Sequence, residues 1–226
     1  VEGGSFGSFG AQGRVQTAYA KGKWTHAYSA SGGYKRSDGG TENSDFEKGQ
    51  GFGQVNLSYD QRFDINAQVG ISTQSYGANT FYSAKYNNQY EKTDHGMASL
   101  NLSLHNQEKT WEIAPQFYYN NFKDHYQLIR GMAGAKAGEN YHDLDVYGGG
   151  LNANVAWALG KTAVGFDISK ECIYSTALGE ELAEKDYKDI SGSDRQYTRK
   201  GERTNTNIML EHNFIFGGFT LSAGVL

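Results

Sequence analysis

Five short turns framed by aromatic residues alternate along this chain with long polar loops. The turns are Tyr19-Ala-Lys-Gly-Lys-Trp24, Tyr59-Asp-Gln-Arg-Phe63, His105-Asn-Gln-Glu-Lys-Thr-Trp111, Trp157-Ala-Leu-Gly-Lys161 and Phe214-Ile-Phe-Gly-Gly-Phe219. The loops fall near residues 37–50, 77–93, 130–143 and 179–196. Between them the residues alternate polar and apolar. Ile65, Ala67, Val69 and Ile71 interleave with Asn66, Gln68 and Gly70, and Trp111, Ile113, Pro115, Phe117 and Tyr119 interleave with Glu112, Gln116 and Tyr118. Period-two alternation puts one set of side chains on each face of a sheet. Tight turns on one side, long loops on the other and aromatic girdles between them are the pattern of an outer-membrane barrel.

A soluble sandwich also alternates, so two further features decide. Globular strands run about 5–6 residues, whereas the segments here run to about 12–18, enough to cross a bilayer. The polar set includes Asp64, Glu112, Asp167 and Glu211, which a dry core would not accept unpaired and a wet lumen would. About ten strands are expected: 5–20, 24–37, 50–61, 63–77, 91–105, 110–129, 144–158, 162–178, 197–214 and 219–226. The fold class is therefore an all-β, antiparallel, up-and-down transmembrane barrel segment. Ile65, Val69, Trp111, Ile113, Phe117, Val155 and Trp157 should face lipid, with Asn66, Gln68, Glu112, Gln116 and Asn154 inside. Glu180-Glu-Leu-Ala-Glu-Lys-Asp186 can make a helical turn within a loop. Gly148-Gly-Gly150 suggests a bend, bulge or close packing in the lumen.

Composition removes several classes. With 14% aromatics and 1 Pro in 226 residues the chain is not disordered. A net charge of −4 offers no basic nucleic-acid surface. The 1 Cys, Cys172, allows no intrachain disulfide. No run of about 18 apolar residues exists for a membrane helix. The first residues lack the basic start and apolar run of a signal peptide, so the chain reads as a mature or excised segment. Its last alternating run reads as a strand cut short at Leu226.

Ser75-Tyr-Gly-Ala-Asn-Thr-Phe-Tyr-Ser-Ala-Lys-Tyr-Asn-Asn-Gln-Tyr-Glu-Lys-Thr93 resembles a loop of TonB-dependent outer-membrane receptors of Bacteroidota. Gly33-Tyr-Lys-Arg-Ser-Asp-Gly-Gly-Thr-Glu-Asn-Ser-Asp45 with Gln50-Gly-Phe-Gly-Gln54 resembles the first extracellular loop and third strand of their cobalamin and siderophore branch. Glu2-Gly-Gly-Ser-Phe-Gly-Ser-Phe-Gly-Ala11 resembles the first barrel strand after the plug. The resemblance implies the N-terminal part of a 22-stranded barrel, residues 1–226 as one segment, without the plug, the TonB box or the C-terminal strands. It further implies nutrient uptake in the bacterial outer membrane. The partners would be the rest of the receptor, outer-membrane lipid and lipopolysaccharide, TonB acting through the plug, and a scarce small-molecule ligand such as cobalamin, a siderophore or a glycan. The alternatives are a complete ten-stranded barrel acting as enzyme or pore, and a soluble β-sheet binding domain.

The aromatic- and amide-rich loop supplies the ligand-binding candidates Tyr76, Asn79, Phe81, Tyr82, Tyr86, Asn88 and Tyr90, a mix of flat contact area and adaptable hydrogen bonds. Asp38, Glu42 and Asp45 are weak calcium candidates, as are Asp143 and Asp145. His26, His95, His105, His125, His142 and His212 show no metal-ligand spacing. Asp124-His125 and His142-Asp143 are acid–base pairs with no nucleophile motif beside them, so no enzyme activity and no cofactor are expected. Lys35, Arg36, Lys123 and Arg130 lie near the outer strand ends, where lipid phosphates or a ligand would meet them.

Overall fold

The computed structural model describes residues 1–134 and 137–225. Leu226, where the sequence reading places the cut, and two residues of the loop expected at 130–143 lie outside the described residues. The strands are β1 (Glu2–Gly3), β2 (Phe9–Lys21), β3 (Trp24–Ser37), β4 (Phe46–Tyr59), β5 (Phe63–Asn79), β6 (Gln89–His105), β7 (Trp111–Gln127), β8 (Glu139–Trp157), β9 (Gly160–Ser175), β10 (Glu180–Glu181), β11 (Lys188–Asp189), β12 (Gln196–Tyr197), β13 (Arg199–Phe216) and β14 (Phe219–Val225). Nine of them run 13–19 residues and β14, described over 7, makes the expected ten; β1 folds back onto the start of β2. One antiparallel up-and-down sheet runs β1 to β9 in chain order and then to β13, with β14 beside β13. Three of the four expected loops are shorter than the sequence suggests, because β4, β6 and β8 begin at Phe46, Gln89 and Glu139 and rise further toward the loop end, whereas the fourth spans the whole stretch between Ser175 and Arg199. The last loop carries β10 to β12 and a single 3-10 turn at Glu184–Asp186, inside the segment read as helical.

The register fixes two faces. Across the sheet, Val55, Ala67, Leu100 and Phe117 are directly paired, as are Ile113, Ala153, Val164 and Leu210. These rows form an apolar outer face, with Val69 59% and Phe117 54% exposed. On β7, Trp111 and Tyr119 bracket the apolar band, and on β8, Trp157 and Tyr147 do so. Both brackets enclose about 9–11 residues, the length a tilted strand needs to cross the hydrocarbon. Pro115 lies in this band, where the β6–β7 pairing lapses between Asn101–Gln116 and Leu104–Ile113, because proline has no N–H to give.

The other face is polar and internally bonded. Asn66 donates to Asn56, Gln68 to Asn66 (2.8 Å), and Asn154 to Glu112 (3.1 Å), which also accepts from Ser103. Gly148 is required by close packing. A Cβ there would sit 2.6 Å from the Tyr118 hydroxyl and 2.7 Å from the Ile168 carbonyl, so the Tyr118 side chain crosses β8 to reach Asp167 (3.1 Å) on β9. With apolar side chains outside and polar ones inside, the sheet has no apolar core. The deeply buried residues gather mostly at the loop end, among them Ala78, Gln89, Glu139, Ser175, Ile190 and Tyr197.

The sheet does not close among the described residues. The free edge of β2 is paired only at Phe9 and Gly10. The free edge of β13 is paired by β10 at Arg199–Lys200 and by β14 from Leu210 onward.

Ile113→Arg should destabilise the barrel in a bilayer by about 2–4 kcal/mol, because it places a cation in hydrocarbon. Gln116→Arg should cost much less. Unfolding titrations of both variants in lipid vesicles measure the difference, and equal costs would contradict the two-face assignment.

Candidate functional site

The loop end is built by strands that rise above the upper girdle and by loops tied to one another. A Cβ on Gly77 would fall 2.7 Å from the Asn43 backbone, so this position needs glycine. The close approach lets Asn79 N–H donate to Asn43 O (3.0 Å) and Asn43 Nδ2 to Gln89 O (2.6 Å). The β5–β6 register shifts here, between Gly77 and Asn79. Gln89 is fully buried. Its Nε2 faces the carbonyls of Asn79, Ser83 and Tyr86, and its Oε1 accepts from the Tyr126 hydroxyl (3.0 Å).

The candidates in this loop separate into three groups. Tyr76 and Tyr82 converge on the polar face, where both hydroxyls meet the Glu91 carboxylate; burial, Glu91 and Tyr82 push the Tyr76 phenol up. Tyr82 also stands edge-on to Phe81 and Tyr126. Phe81 and Tyr86 are exposed at the tip. Asn79 and Asn88 are occupied in building the loop, Asn79 donating to Glu42 O (2.9 Å) and Asn88 O accepting from Arg130 N–H (2.7 Å). Tyr90 points to the opposite face, beneath the Arg130 guanidinium (4.8 Å). Glu91, Gln89, Tyr126 and Asp124 complete the cluster. Sequence reasoning singled out Asp124 only as a partner of His125 and missed the other three, because their convergence depends on the pairing of three strands.

The acidic loop residues are not gathered. Asp38 pairs with Arg36 (2.8 Å), Glu42 accepts from Asn87 (3.2 Å), and Asp45 takes a two-pronged bond from Arg130 (2.6 and 3.0 Å). The Arg130 guanidinium thus occupies the carboxylate of Asp45, one of the weak calcium candidates. Asp143 takes Lys123 (3.6 Å) and Asn121 (2.8 Å), and Asp145 takes Asn121 (2.9 Å) and Tyr119 (2.6 Å). No cluster of three metal-ligating residues of the His, Cys, Asp or Glu types occurs among the described residues.

Both acid–base pairs are split by the pleat, since neighbours on a strand point to opposite faces. Asp124 lies inside, while His125 lies outside, bonded to Glu139 (2.8 Å) and stacked on Tyr141 (4.0 Å). His142 faces inward against the Ser175 hydroxyl (2.8 Å). That hydroxyl is fully buried and accepts from two loop N–H groups, so it is a loop cap.

Glu139, 2% exposed, ties two loops together. Burial raises its pKa, but bonds from Gly134 N–H, His125, Tyr141 and Gln127 outweigh that and hold it at about 2. Arg195, from the last loop, joins it at 3.4 Å.

Along the polar face of β2 to β6, Gln12, Arg14, Gln50, Phe52, Ser72, His95 and Met97 line one open concavity of about 620 Å³. Its floor rests on Gly70, where a Cβ would meet Met97 at 2.9 Å and Phe52 at 3.5 Å.

The fold is shared with a solved transporter. The structure described as copper transporter OprC matches with a TM-score of 0.63 at 15% identity, covering 99% of this chain and 37% of that one. The chain thus spans little more than a third of its length, and the likeness is one of fold. No family model matches the sequence, and no curated protein matches it.

One carboxyl in the cluster carries a strained charge. Asp124 Oδ1 is buried with no hydrogen-bond partner among the described residues. Burial first, then Glu91, pushes its pKa up from 3.8 to about 6. A raised folded pKa means stability is fully present below the unfolded value and lost as pH rises through about 6. After solvent screening the loss is about 1–2 kcal/mol. Asp124→Asn should therefore stabilise the loop end at pH 7.5 and make hydrogen exchange in loop 80–88, corrected for intrinsic rates, insensitive to pH between 4 and 7. A persisting transition near pH 6 would assign it to another group.

Proposed function

We propose that this chain is barrel wall of an outer-membrane transporter of the TonB-dependent receptor class. It takes up a scarce ligand, with the long loops outside the cell and the short turns in the periplasm. The observation that carries this reading is the open up-and-down sheet, nine long strands and β14, with an apolar band of membrane height. An open edge in hydrocarbon leaves backbone groups without partners, each costing several kcal/mol, so β2 and β13 call for further strands, as a 22-stranded barrel would supply. The interior bears amides and carboxylates suited to a polar plug or a water-filled passage. Capture falls to the loop end, with Tyr76, Phe81, Tyr82 and Tyr86 toward the ligand and Asn79, Asn88 and Tyr90 shaping and supporting the loop that carries them.

The name of the fold neighbour places copper among the cargoes to be tested. The soft donors on the polar face of β6 are His95 and Met97, at alternate positions, and imidazole and thioether suit copper. A copper site would need further donors, and the size of the concavity suits an organic ligand better.

Accumulation of labelled cobalamin, ferric siderophore, oligosaccharide and copper should be followed in cells with and without the gene, and with TonB inactivated. Accumulation of one cargo should fall in both backgrounds. Uptake that survives without TonB would make the protein a passive pore, and no change for any cargo would contradict the transport reading.

A further inference from the structure

We infer that the polar face of β2 to β6 holds a subsite for an anionic organic ligand, one bearing a carboxylate or phosphate on a flat apolar body. The inference rests on the transport reading and narrows its cargo.

The charge on this face is segregated. On β2 to β4 the inward-facing charged residues are Arg14, Lys35 and Lys48. On β5 to β9 and β13 they are Asp64, Glu91, Glu112, Asp124, Asp167, Glu171 and Glu211, against Lys161, Arg199 and Arg203, so the acidic side still carries the excess of carboxylates. Lys35 is neutralised by Glu2 at 2.8 Å. Arg14 and Lys48 have no carboxylate partner among the described residues, whereas Arg130, Arg195, Arg199 and Arg203 are each paired. Such segregation sets up a field across the interior that draws an anion to the β2–β4 side.

Arg14 lines the concavity of about 620 Å³ with Gln12, Gln50 and His95. An adjoining hollow of about 420 Å³ contains Lys35 and Lys48 and shares Gln12 and Gln50 with it. A guanidinium beside two amides offers several N–H donors, and its fork matches carboxylate and phosphate oxygens. Below them Phe52 and Met97 pack over Gly70 and leave an apolar floor. The volume lies within the range of about 300–1,000 Å³ usual for small-molecule sites, far more than a lone ion fills. A neutral glycan has no use for Arg14 and Lys48.

Salicylate, an aromatic carboxylate, and salicylamide, its uncharged analogue, are the probes. Binding of each to the purified protein in lipid nanodiscs is measured by calorimetry at low and moderate salt. Salicylate should bind at least tenfold tighter than salicylamide, and less tightly as salt rises. Arg14→Gln combined with Lys48→Gln should weaken salicylate about tenfold or more while leaving salicylamide unchanged, and Arg14→Lys should retain part of the affinity. Equal affinity for the two probes overturns the inference. So does a double variant that binds salicylate normally, or one that loses thermal stability with no change in the ratio of the two affinities; the last would make Arg14 a structural cation facing another part of the protein. The readout needs no transport, so salicylate binding in a protein that moves no cargo would sink the uptake reading and leave the subsite standing.

Discussion

A peptide group in hydrocarbon must find its hydrogen-bond partner within the protein, and the rest of this structure follows from that requirement. It makes each crossing segment a strand paired on both sides, and it makes the sheet continue until it meets itself. From β3 to β9 the ladders are continuous but for the lapse at Pro115 and the register shift between Gly77 and Asn79. At the margins they stop. Residues 11–21 of β2, paired with β3, and 201–209 of β13, paired with β9, have no second partner strand among the described residues, and these stretches include membrane-height positions such as Val15, Thr206 and Ile208. The loop piece β10 caps the top of β13 and β14 its base, so the open part of that edge is its middle.

The same requirement inverts the usual arrangement of side chains. Apolar residues contribute by matching lipid on the outside, and order inside comes from bonded amides and carboxylates. At the loop end, charge and hydrogen bonds take over the work of a core. Arg130 joins its own loop to Asp45, across the β5–β6 connection whose Asn88 it also engages. Glu139 gathers side chains from β7 and β8 with Arg195 of the last loop. The network around Glu139 is buried, and a satisfied network of this kind fixes one geometry at the loop end.

Much of the fold was legible because a strand's two faces are written two residues apart. Ile65, Val69, Ile113, Phe117 and Val155 could be placed by alternation alone, and the turns by their flanking rings. The loop end was less legible because its contacts join residues far apart in the chain. Asp45 reads as a possible metal ligand until Arg130, 85 residues away, is seen against it. Asp124 and His125 read as a pair until the pleat separates them. Tyr90 looks like its neighbours in the loop, yet its place on β6 turns it to the other face. Arg14 and Gln50 are unremarkable in sequence and meet only through the register of β2, β3 and β4.

The central claim is that one face of these strands meets lipid and the other does not. Spin labels placed one at a time from 111 to 119 on β7 in lipid vesicles test it directly, with collision by dissolved oxygen as the readout. Oxygen accessibility should oscillate with period two, high at 113 and 117 and low at 112 and 116. A flat profile, or one with the maxima at Glu112 and Gln116, would contradict the account.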